Sequence, residues 1–193
     1  MNLPALPQLR QQLRKQRRNL STYQQKQACQ AVLSHLIRMP QLRYAHHIGI
    51  YLDAFGEIAT QHIIQYCFKL GKAVYLPRIC PMNNRLLWVR IRQYQFHAKR
   101  FSLHRLGMNE PKQRGIAVQH LDLLIMPLLA CDRQGTRLGM GGGFYDRTLH
   151  QTSQRPFRLG LAHSFQLLDT HLPRQTWDQP LHGLCTPEHL IVF

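Results

Sequence analysis

The stretch RLGMGGGFYDRTL, residues 137–149, is the most informative part of this sequence. Four of the five residues from 139 to 143 are glycine, and Asp146 and Arg147 follow them. Consecutive amide groups in such a loop can converge on one point and bind an anion. A helix that begins directly after the loop adds partial positive charge at the same place. The stretch therefore predicts a phosphate-binding loop, with Arg137 and Arg147 available to neutralise phosphate oxygens.

The residues on either side of the glycines support this interpretation. The apolar run LDLLIMPLLA, 121–130, is typical of a strand buried on both faces, and Pro127 within it indicates a bend or an end. A helix is expected from about Tyr145. The spacing of the glycines fits neither a Walker A loop nor a dinucleotide-binding fingerprint. A loop that only turns a corner therefore remains the alternative.

The middle of the chain predicts a parallel sheet. The segment 46–52 is short and β-rich, Thr60 can cap a helix that Gly71 ends, and 73–77 is the next strand. This β–helix–β order implies a parallel pair with a right-handed crossover. Further strands are predicted at 85–91, 158–163 and 189–193. The segment 92–120 gives no clear pattern.

The first forty residues predict two helices. The first has leucines at 6, 9, 13 and 20 at helical spacing, with arginines at 10, 14, 17 and 18 on another side. Ser21 and Gln24 form a capping-box pattern that begins the second helix, and Pro40 stops it. The fold class expected is α/β: one three-layer domain over residues 1–193, with a mostly parallel sheet and an N-terminal helical segment over 1–40.

Composition and charge limit the function. Lys and Arg number 25 against nine Asp and Glu, a net charge of +16, which attracts nucleic acid, nucleotides or polycarboxylates. No apolar run reaches membrane-spanning length and no signal peptide is recognisable, so we expect a cytoplasmic protein without a membrane partner. Five scattered cysteines predict reduced, mostly buried thiols.

Several motifs in the same order resemble one family. The string RLGMGGGFYDRTL closely resembles the signature of the 5-formyltetrahydrofolate cyclo-ligases, also called 5,10-methenyltetrahydrofolate synthetases. The other matching segments are LRQQLRKQRRNLS (9–21), GIYLDAFGEIAT (49–60), AVYLPRI (73–79), MNEP (108–111) and WDQPLHGLCTPE (177–188). The resemblance therefore covers most of the chain.

This resemblance implies an ATP-dependent, Mg²⁺-requiring ring closure of 5-formyltetrahydrofolate, which yields 5,10-methenyltetrahydrofolate, ADP and phosphate. The family is thought to phosphorylate the formyl oxygen, after which N10 of the folate attacks the activated carbon and phosphate leaves. The implied fold is the three-layer α/β fold shared with sugar-phosphate isomerases and CoA transferases. The implied partners are the two small-molecule substrates, and we expect a monomer.

The resemblance also implies roles for individual residues. The implied ATP-binding residues are Arg10, Arg137, Leu138, Gly139, Met140, Gly141, Gly142, Gly143, Phe144 and Tyr145. The implied folate-binding residues are Leu52, Glu57, Met140 and Phe144. Catalysis is assigned to Arg137, Asp146 and Arg147, and Mg²⁺ binding to Asp146 and Asp178.

Simpler interpretations exist for four of these residues. Asp146 could be an acid that complements a helix N-terminus. Asp178 could belong to a turn, and Glu57 could be a solvated turn residue. Leu52 could simply pack in the core.

Two positions depart from the family's pattern. Leu6 stands where the family has a basic residue that reaches the ATP phosphates, and Arg14 or Lys15 could compensate. Phe144 stands where many members have tyrosine. Leu6 leaves open a relative that binds nucleotide without catalysis. The basic, aromatic segment VRIRQYQFHAKRF, 89–101, leaves open a nucleic-acid-binding protein, although no recognised binding module is present.

Overall fold

A seven-stranded sheet organises the chain in a computed structural model that describes residues 5–98, 101–103, 109–150, 152 and 155–193. The strands are β1 (His47–Gly49), β2 (Ala73–Ile79), β3 (Leu86–Ile91), β4 (Ser102–Leu103), β5 (Asn109–Glu110), β6 (Leu123–Pro127), β7 (Ala130–Asp132), β8 (Arg137–Leu138), β9 (Phe157–Leu161), β10 (Leu167–Leu168), β11 (Gly183–Cys185) and β12 (Leu190–Val192). The helices are α1 (Leu6–Arg18), α2 (Thr22–Ile37), α3 (Pro40–Tyr44), α4 (Gln61–Lys69), α5 (Gln93–His97) and α6 (Phe144–Leu149), with 3₁₀ turns at Val118–His120 and Ser164–Gln166.

The large sheet has the order β12-β11-β9-β6-β1-β2-β3. Its interior pairs are parallel, whereas β2–β3 and β11–β12 at the two edges are antiparallel. The expected α/β class with a mostly parallel sheet is confirmed. The strand β3 follows β2 after a short turn, and a connection of that length allows only an antiparallel partner.

Helices cover both faces of this sheet. Alternate residues of β6 point to opposite sides, so Leu123 and Ile125 join one core cluster while Leu124 and Met126 join another. Helices α2, α3 and α4 pack in the first cluster, and Leu149 of α6 packs in the second. The result is the predicted three-layer arrangement.

The predicted N-terminal helices are present. Ser21 Oγ accepts a hydrogen bond from the Gln24 amide (3.2 Å), and Gln24 Oε1 accepts one from the Ser21 amide (2.9 Å). This capping box begins α2 as predicted. The helix ends at Ile37, and Pro40 begins α3, where its missing N–H costs no hydrogen bond.

The apolar run 121–130 is not one strand but two. The strand β6 ends at Pro127, which has no N–H to donate to a neighbour. The chain then enters β7, which belongs to a separate three-stranded sheet with the order β10-β7-β8. Helix α1 packs against this small sheet through Leu9 and Leu13. The break brings α1 and the residues after β8 to the end of β6.

Two other predictions of local structure need correction, and one strand was missed. The strand predicted at 46–52 is only His47–Gly49. Thr60 precedes α4 as predicted, but its hydroxyl donates to the Tyr51 carbonyl (2.8 Å) rather than capping the helix. The strand β11 was not predicted, because three residues are too few to show an alternating pattern.

The cysteines agree with the expectation from sequence. All five cysteines are free thiols, and four of them are buried. Among the described residues, no helix has both the length and the apolar character needed to cross a membrane.

The capping box yields a prediction for stability. Ser21→Ala removes the acceptor of the Gln24 amide and should lower the free energy of unfolding by about 1 kcal/mol. Ser34→Ala is the matched control in the same helix, since Ser34 Oγ only donates to the Gln30 carbonyl. Denaturant unfolding measures both variants, and equal losses would contradict a capping role for Ser21.

Candidate active site

One cavity of about 1030 Å³ lies between α1, the turn after β1, the glycine stretch and the segment 173–178. Every residue assigned to a site from the sequence lines this cavity. They are Arg10, Leu52, Glu57, Arg137, Leu138, Gly139, Met140, Gly141, Gly142, Gly143, Phe144, Tyr145, Asp146, Arg147 and Asp178. Their proximity gives no individual role, and the roles themselves stay predictions.

The glycine stretch forms the loop between β8 and α6. Gly141 and Gly143 have φ angles of 98° and 63°, which side chains strongly disfavour, and Gly143 is the residue directly before α6. Among the residues that the structure describes, none accepts a hydrogen bond from the amides of 139–143. The strand–loop–helix order is as predicted, and the loop retains donors for an anion.

Arginines hold the carbonyl groups of this loop. Arg10 Nε donates to the Gly139 carbonyl (3.1 Å), and an Arg14 guanidinium nitrogen donates to the Met140 carbonyl (3.0 Å). Arg147 donates to the Gly142 carbonyl. These contacts fix the loop from α1 and from its own helix, and they place positive charge beside it.

Leu6 stands where the family has a basic residue, and the structure shows which basic residues of α1 lie near it. Leu6 lines the cavity without a charge, but Arg14 lies two turns further along the same face and reaches the loop. Lys15 is exposed and does not line the cavity. Of the two residues considered as compensation, Arg14 lines the cavity and Lys15 does not, and the compensation itself stays a prediction.

Arg137 and Asp146 form a short ion pair in the cavity wall. A terminal nitrogen of Arg137 lies 2.8 and 2.9 Å from the two oxygens of Asp146. The same guanidinium lies over the ring of Tyr145, 5.4 Å from its centre. The Nε atoms of Arg137 and Arg14 are buried, and neither has a hydrogen-bond partner among the residues that the structure describes. Buried donors of this kind are normally paired, so both suit an anionic ligand in the cavity.

The two acids assigned to Mg²⁺ lie on adjoining walls. The Gln179 amide is 3.5 Å from an Asp146 oxygen, which brings the segment that carries Asp178 beside Asp146. Asp178 also accepts a hydrogen bond from the Gln175 amide (2.8 Å), as in the turn considered above. No group of three potential metal ligands exists among the described residues. Mg²⁺ usually takes one or two carboxylates plus water and phosphate, so this donor set fits Mg²⁺ held together with a phosphate ligand.

Glu57 faces the cavity from the turn after β1. Its side chain is only 11% exposed, and one oxygen accepts a hydrogen bond from the Ala54 amide (3.0 Å). Burial raises the pKa of Glu57 to about 7, although Arg17 nearby opposes this shift. The interpretation of Glu57 as a solvated turn acid is therefore wrong. Leu52 packs against the first core cluster and also lines the cavity, so core packing is confirmed, while its contact with folate stays a prediction.

Arg17 does not lie on a side of α1 separate from the leucines, as its spacing with Arg10, Arg14 and Arg18 predicted. Its side chain is fully buried, and it follows Leu9 and Leu13 at intervals of four residues. The guanidinium lies 3.5 Å from Glu57 and donates to the Phe55 carbonyl (2.9 Å). The spacing 9, 13, 17 was the available signal, because it puts an arginine on the apolar stripe.

Two exposed aromatic residues at the cavity were also not predicted from the sequence. Phe55 and Trp177 are 41% and 57% exposed, and both line the cavity. Large apolar side chains exposed at a cavity are typical of ligand-binding sites. Both lie within the motifs quoted above, but aromatic residues in turns have no distinctive spacing.

The alternative of nucleic-acid binding loses part of its basis. Phe96 and Phe101 pack against the first core cluster, and the centres of their rings are 6.4 Å apart. Tyr94 is exposed, next to the exposed Arg92. Stacking on bases needs free aromatic faces, and residues 99–100 of this segment lie outside the described residues.

Comparisons with known proteins agree with the motifs. The model of the 5-formyltetrahydrofolate cyclo-ligase family matches residues 4–187. The chain is 39% identical to the 5-formyltetrahydrofolate cyclo-ligase of Haemophilus influenzae, covering 95% of this chain and 98% of that one. It is 36% identical to the Escherichia coli protein of the same name, with 91% and 96% covered.

Solved structures show the same relationship. The 5,10-methenyltetrahydrofolate synthetase of Aquifex aeolicus superposes with a TM-score of 0.80 at 26% identity, covering 97% of this chain and 92% of that one. The Mycoplasma pneumoniae synthetase has the same fold, with a TM-score of 0.76 at 19% identity and 96% and 100% covered. The chain belongs to the 5-formyltetrahydrofolate cyclo-ligase family.

Proposed function

We propose that this chain catalyses the ATP-dependent cyclisation of 5-formyltetrahydrofolate to 5,10-methenyltetrahydrofolate, with release of ADP and phosphate. One observation carries the proposal beyond family membership: a single cavity joins a glycine loop surrounded by arginines to a buried carboxylate. The first part suits a polyphosphate. The second suits a ring system that donates hydrogen bonds, such as the amino-pyrimidine edge of a pterin.

The chemistry needs positioning and charge neutralisation more than a protein nucleophile. The formyl oxygen is a poor leaving group until the γ-phosphoryl group of ATP is transferred to it. N10 then attacks the formyl carbon, the phosphate leaves with that oxygen, and N10 loses its proton. Arg10, Arg14, Arg137 and Arg147, with the loop amides, are arranged to stabilise the charge on the transferred group.

The carboxylates divide between the two substrates in this proposal. Glu57 accepts hydrogen bonds from the pterin, while Leu52, Met140 and Phe144 supply apolar contacts. Asp146 and Asp178 would hold Mg²⁺, which neutralises charge on the phosphates when it is bound. The ion pair with Arg137 restricts the orientation of the Asp146 side chain.

The direct test is an absorbance assay of the purified protein for the methenyl product. Product should form only when 5-formyltetrahydrofolate, ATP and Mg²⁺ are all present. Folded protein that binds ATP but forms no product would contradict the proposal. That result would favour the inactive nucleotide-binding relative.

Asp146→Asn should abolish most of the turnover, because the variant keeps the shape of the side chain but loses its charge. We expect a loss of about a hundredfold or more, with more Mg²⁺ needed for half-maximal rate. Asp169→Asn is the matched control, since Asp169 is exposed, pairs with Arg133 and does not line the cavity. Initial rates across a Mg²⁺ titration measure both, and an unchanged Mg²⁺ dependence would remove Asp146 from the metal site.

The raised pKa of Glu57 predicts a pH dependence of folate binding. The carboxylate, which accepts hydrogen bonds from the pterin, predominates only above a pH of about 7. The KM for 5-formyltetrahydrofolate should therefore rise as the pH falls through 7. Glu57→Gln should raise this KM at pH 8 and flatten its pH profile, while the KM for ATP changes little. Equal effects on the two constants would contradict a substrate-specific role.

A further inference from the structure

The turn that presents Glu57 has an unfavourable backbone conformation. Phe55 and Gly56 have φ angles of 54° and 78°, and the first of these is rare for a residue with a side chain. Such a conformation persists only when the surrounding structure holds it in place. The contacts on the carbonyl groups of this turn are therefore informative.

Two buried side chains hold these carbonyl groups. Arg17 Nε donates to the Phe55 carbonyl (2.9 Å), and His163 Nε2 lies 3.0 Å from the Gly56 carbonyl. The backbone of Arg17 also fits closely, since a Cβ on Gly56 would lie 2.7 Å from the Arg17 carbonyl oxygen. Helix α1 and the turn thus meet at Arg17 without room for other side chains.

The burial of Arg17 at this position lowers the stability of the folded protein. A fully buried guanidinium loses its hydration, and the ion pair with Glu57 is long at 3.5 Å. Within the described part of the chain, its guanidinium also donates to the Leu128 carbonyl at 3.4 Å, and its NH2 atom has no hydrogen-bond partner. An apolar residue would complete the stripe of Leu9 and Leu13 at lower cost. The arginine therefore calls for an explanation other than packing.

We infer that Arg17 is a positioning residue, which fixes the turn 53–57 from behind the cavity and aims the Glu57 carboxylate at the bound substrate. Arg17 itself does not line the cavity, so it acts through Glu57. The inference rests on the proposed role of Glu57 in binding folate.

The charges around Glu57 give this role a second component. Asp53, Tyr51 and Tyr145 also face Glu57, and Arg17 is the cation among the charged groups that shift its pKa. Burial and Asp53 raise the pKa of Glu57, whereas Arg17 lowers it. Arg17 thus keeps the carboxylate available near neutral pH, in addition to orienting it.

The ionisation of Glu57 can be measured without any turnover. The chain has only three glutamates, at 57, 110 and 188, so ¹³C-labelled glutamate gives three carboxyl NMR signals, and Glu57→Gln assigns one of them. Arg17→Met should raise the pKa of Glu57 by about 1 to 3. Leu13→Ala, on the same stripe of α1, lowers stability without touching the turn and should leave this pKa unchanged. An unchanged pKa in Arg17→Met would overturn the electrostatic component.

Arg17→Lys separates the effect of the charge from that of the guanidinium geometry. It also tests the positioning role if Arg17→Met does not fold. Lysine keeps a positive charge but cannot reproduce the planar fork of the guanidinium. The pKa of Glu57 should stay near its original value, while the KM for folate rises about tenfold and that for ATP changes little. Equal changes in both KM values, or changes matching those of Leu13→Ala, would overturn positioning. If the unaltered protein has no turnover, the proposed function fails, whereas the NMR titration still tests the effect of Arg17 on Glu57.

Discussion

Arginines of one helix hold the backbone carbonyl groups of both loops that form the cavity. Arg10 and Arg14 bind carbonyl groups of the glycine loop, and Arg17 binds that of Phe55 in the turn beside Glu57. The two loops are 85 residues apart in sequence, counted from Phe55 to Met140, and they follow strands of different sheets, β1 and β8. Helix α1 therefore does more than cover the small sheet, because it sets the position of each loop relative to the other.

The chain break at Pro127 makes this arrangement possible. Because β6 stops there, the chain leaves the large sheet and builds the small one, against which Leu9 and Leu13 pack. The same packing brings the next turn of α1 to the carbonyl of Leu128, which Arg17 contacts. The proline, the apolar stripe and the buried arginine thus together position helix α1, whose Arg10 and Arg14 line the cavity.

Charge is distributed unevenly in this cavity. Among the described residues, six Lys or Arg side chains line it, together with four Asp or Glu side chains. Arg10, Arg14 and Arg147 contact carbonyl groups of the glycine loop, whereas Glu57 lies on the turn after β1. In the proposed function, these arginines attract the polyphosphate to the loop, and Glu57 attracts the hydrogen-bonding ring to the turn.

Local features of the sequence predicted local features of the structure. The capping box at Ser21, the end of a strand at Pro127 and the loop of glycines all depend on residues close in sequence. Their physical causes, a side-chain acceptor, a missing N–H and a positive φ, act within a few residues. The residues assigned to the site from the motifs also meet at one cavity.

Features that depend on distant partners were not predicted. The strand β11 has three residues, and its place between β9 and β12 follows from pairing that no local pattern encodes. Arginine is a residue type usually found on the surface. Only the contacts of Arg17 with Phe55 and Glu57, 38 and 40 residues away, show that its side chain is buried. Arg14 likewise acquires its place from a loop 126 residues away.

A structure with a non-hydrolysable ATP analogue and 5-formyltetrahydrofolate bound together would test this arrangement most directly. We expect the phosphates against the amides of the glycine loop, between Arg10, Arg14 and Arg137, and the pterin against Glu57. The γ-phosphate should then lie next to the formyl oxygen. A nucleotide bound away from the glycine loop, or a pterin without contact to Glu57, would contradict the proposed division of the cavity.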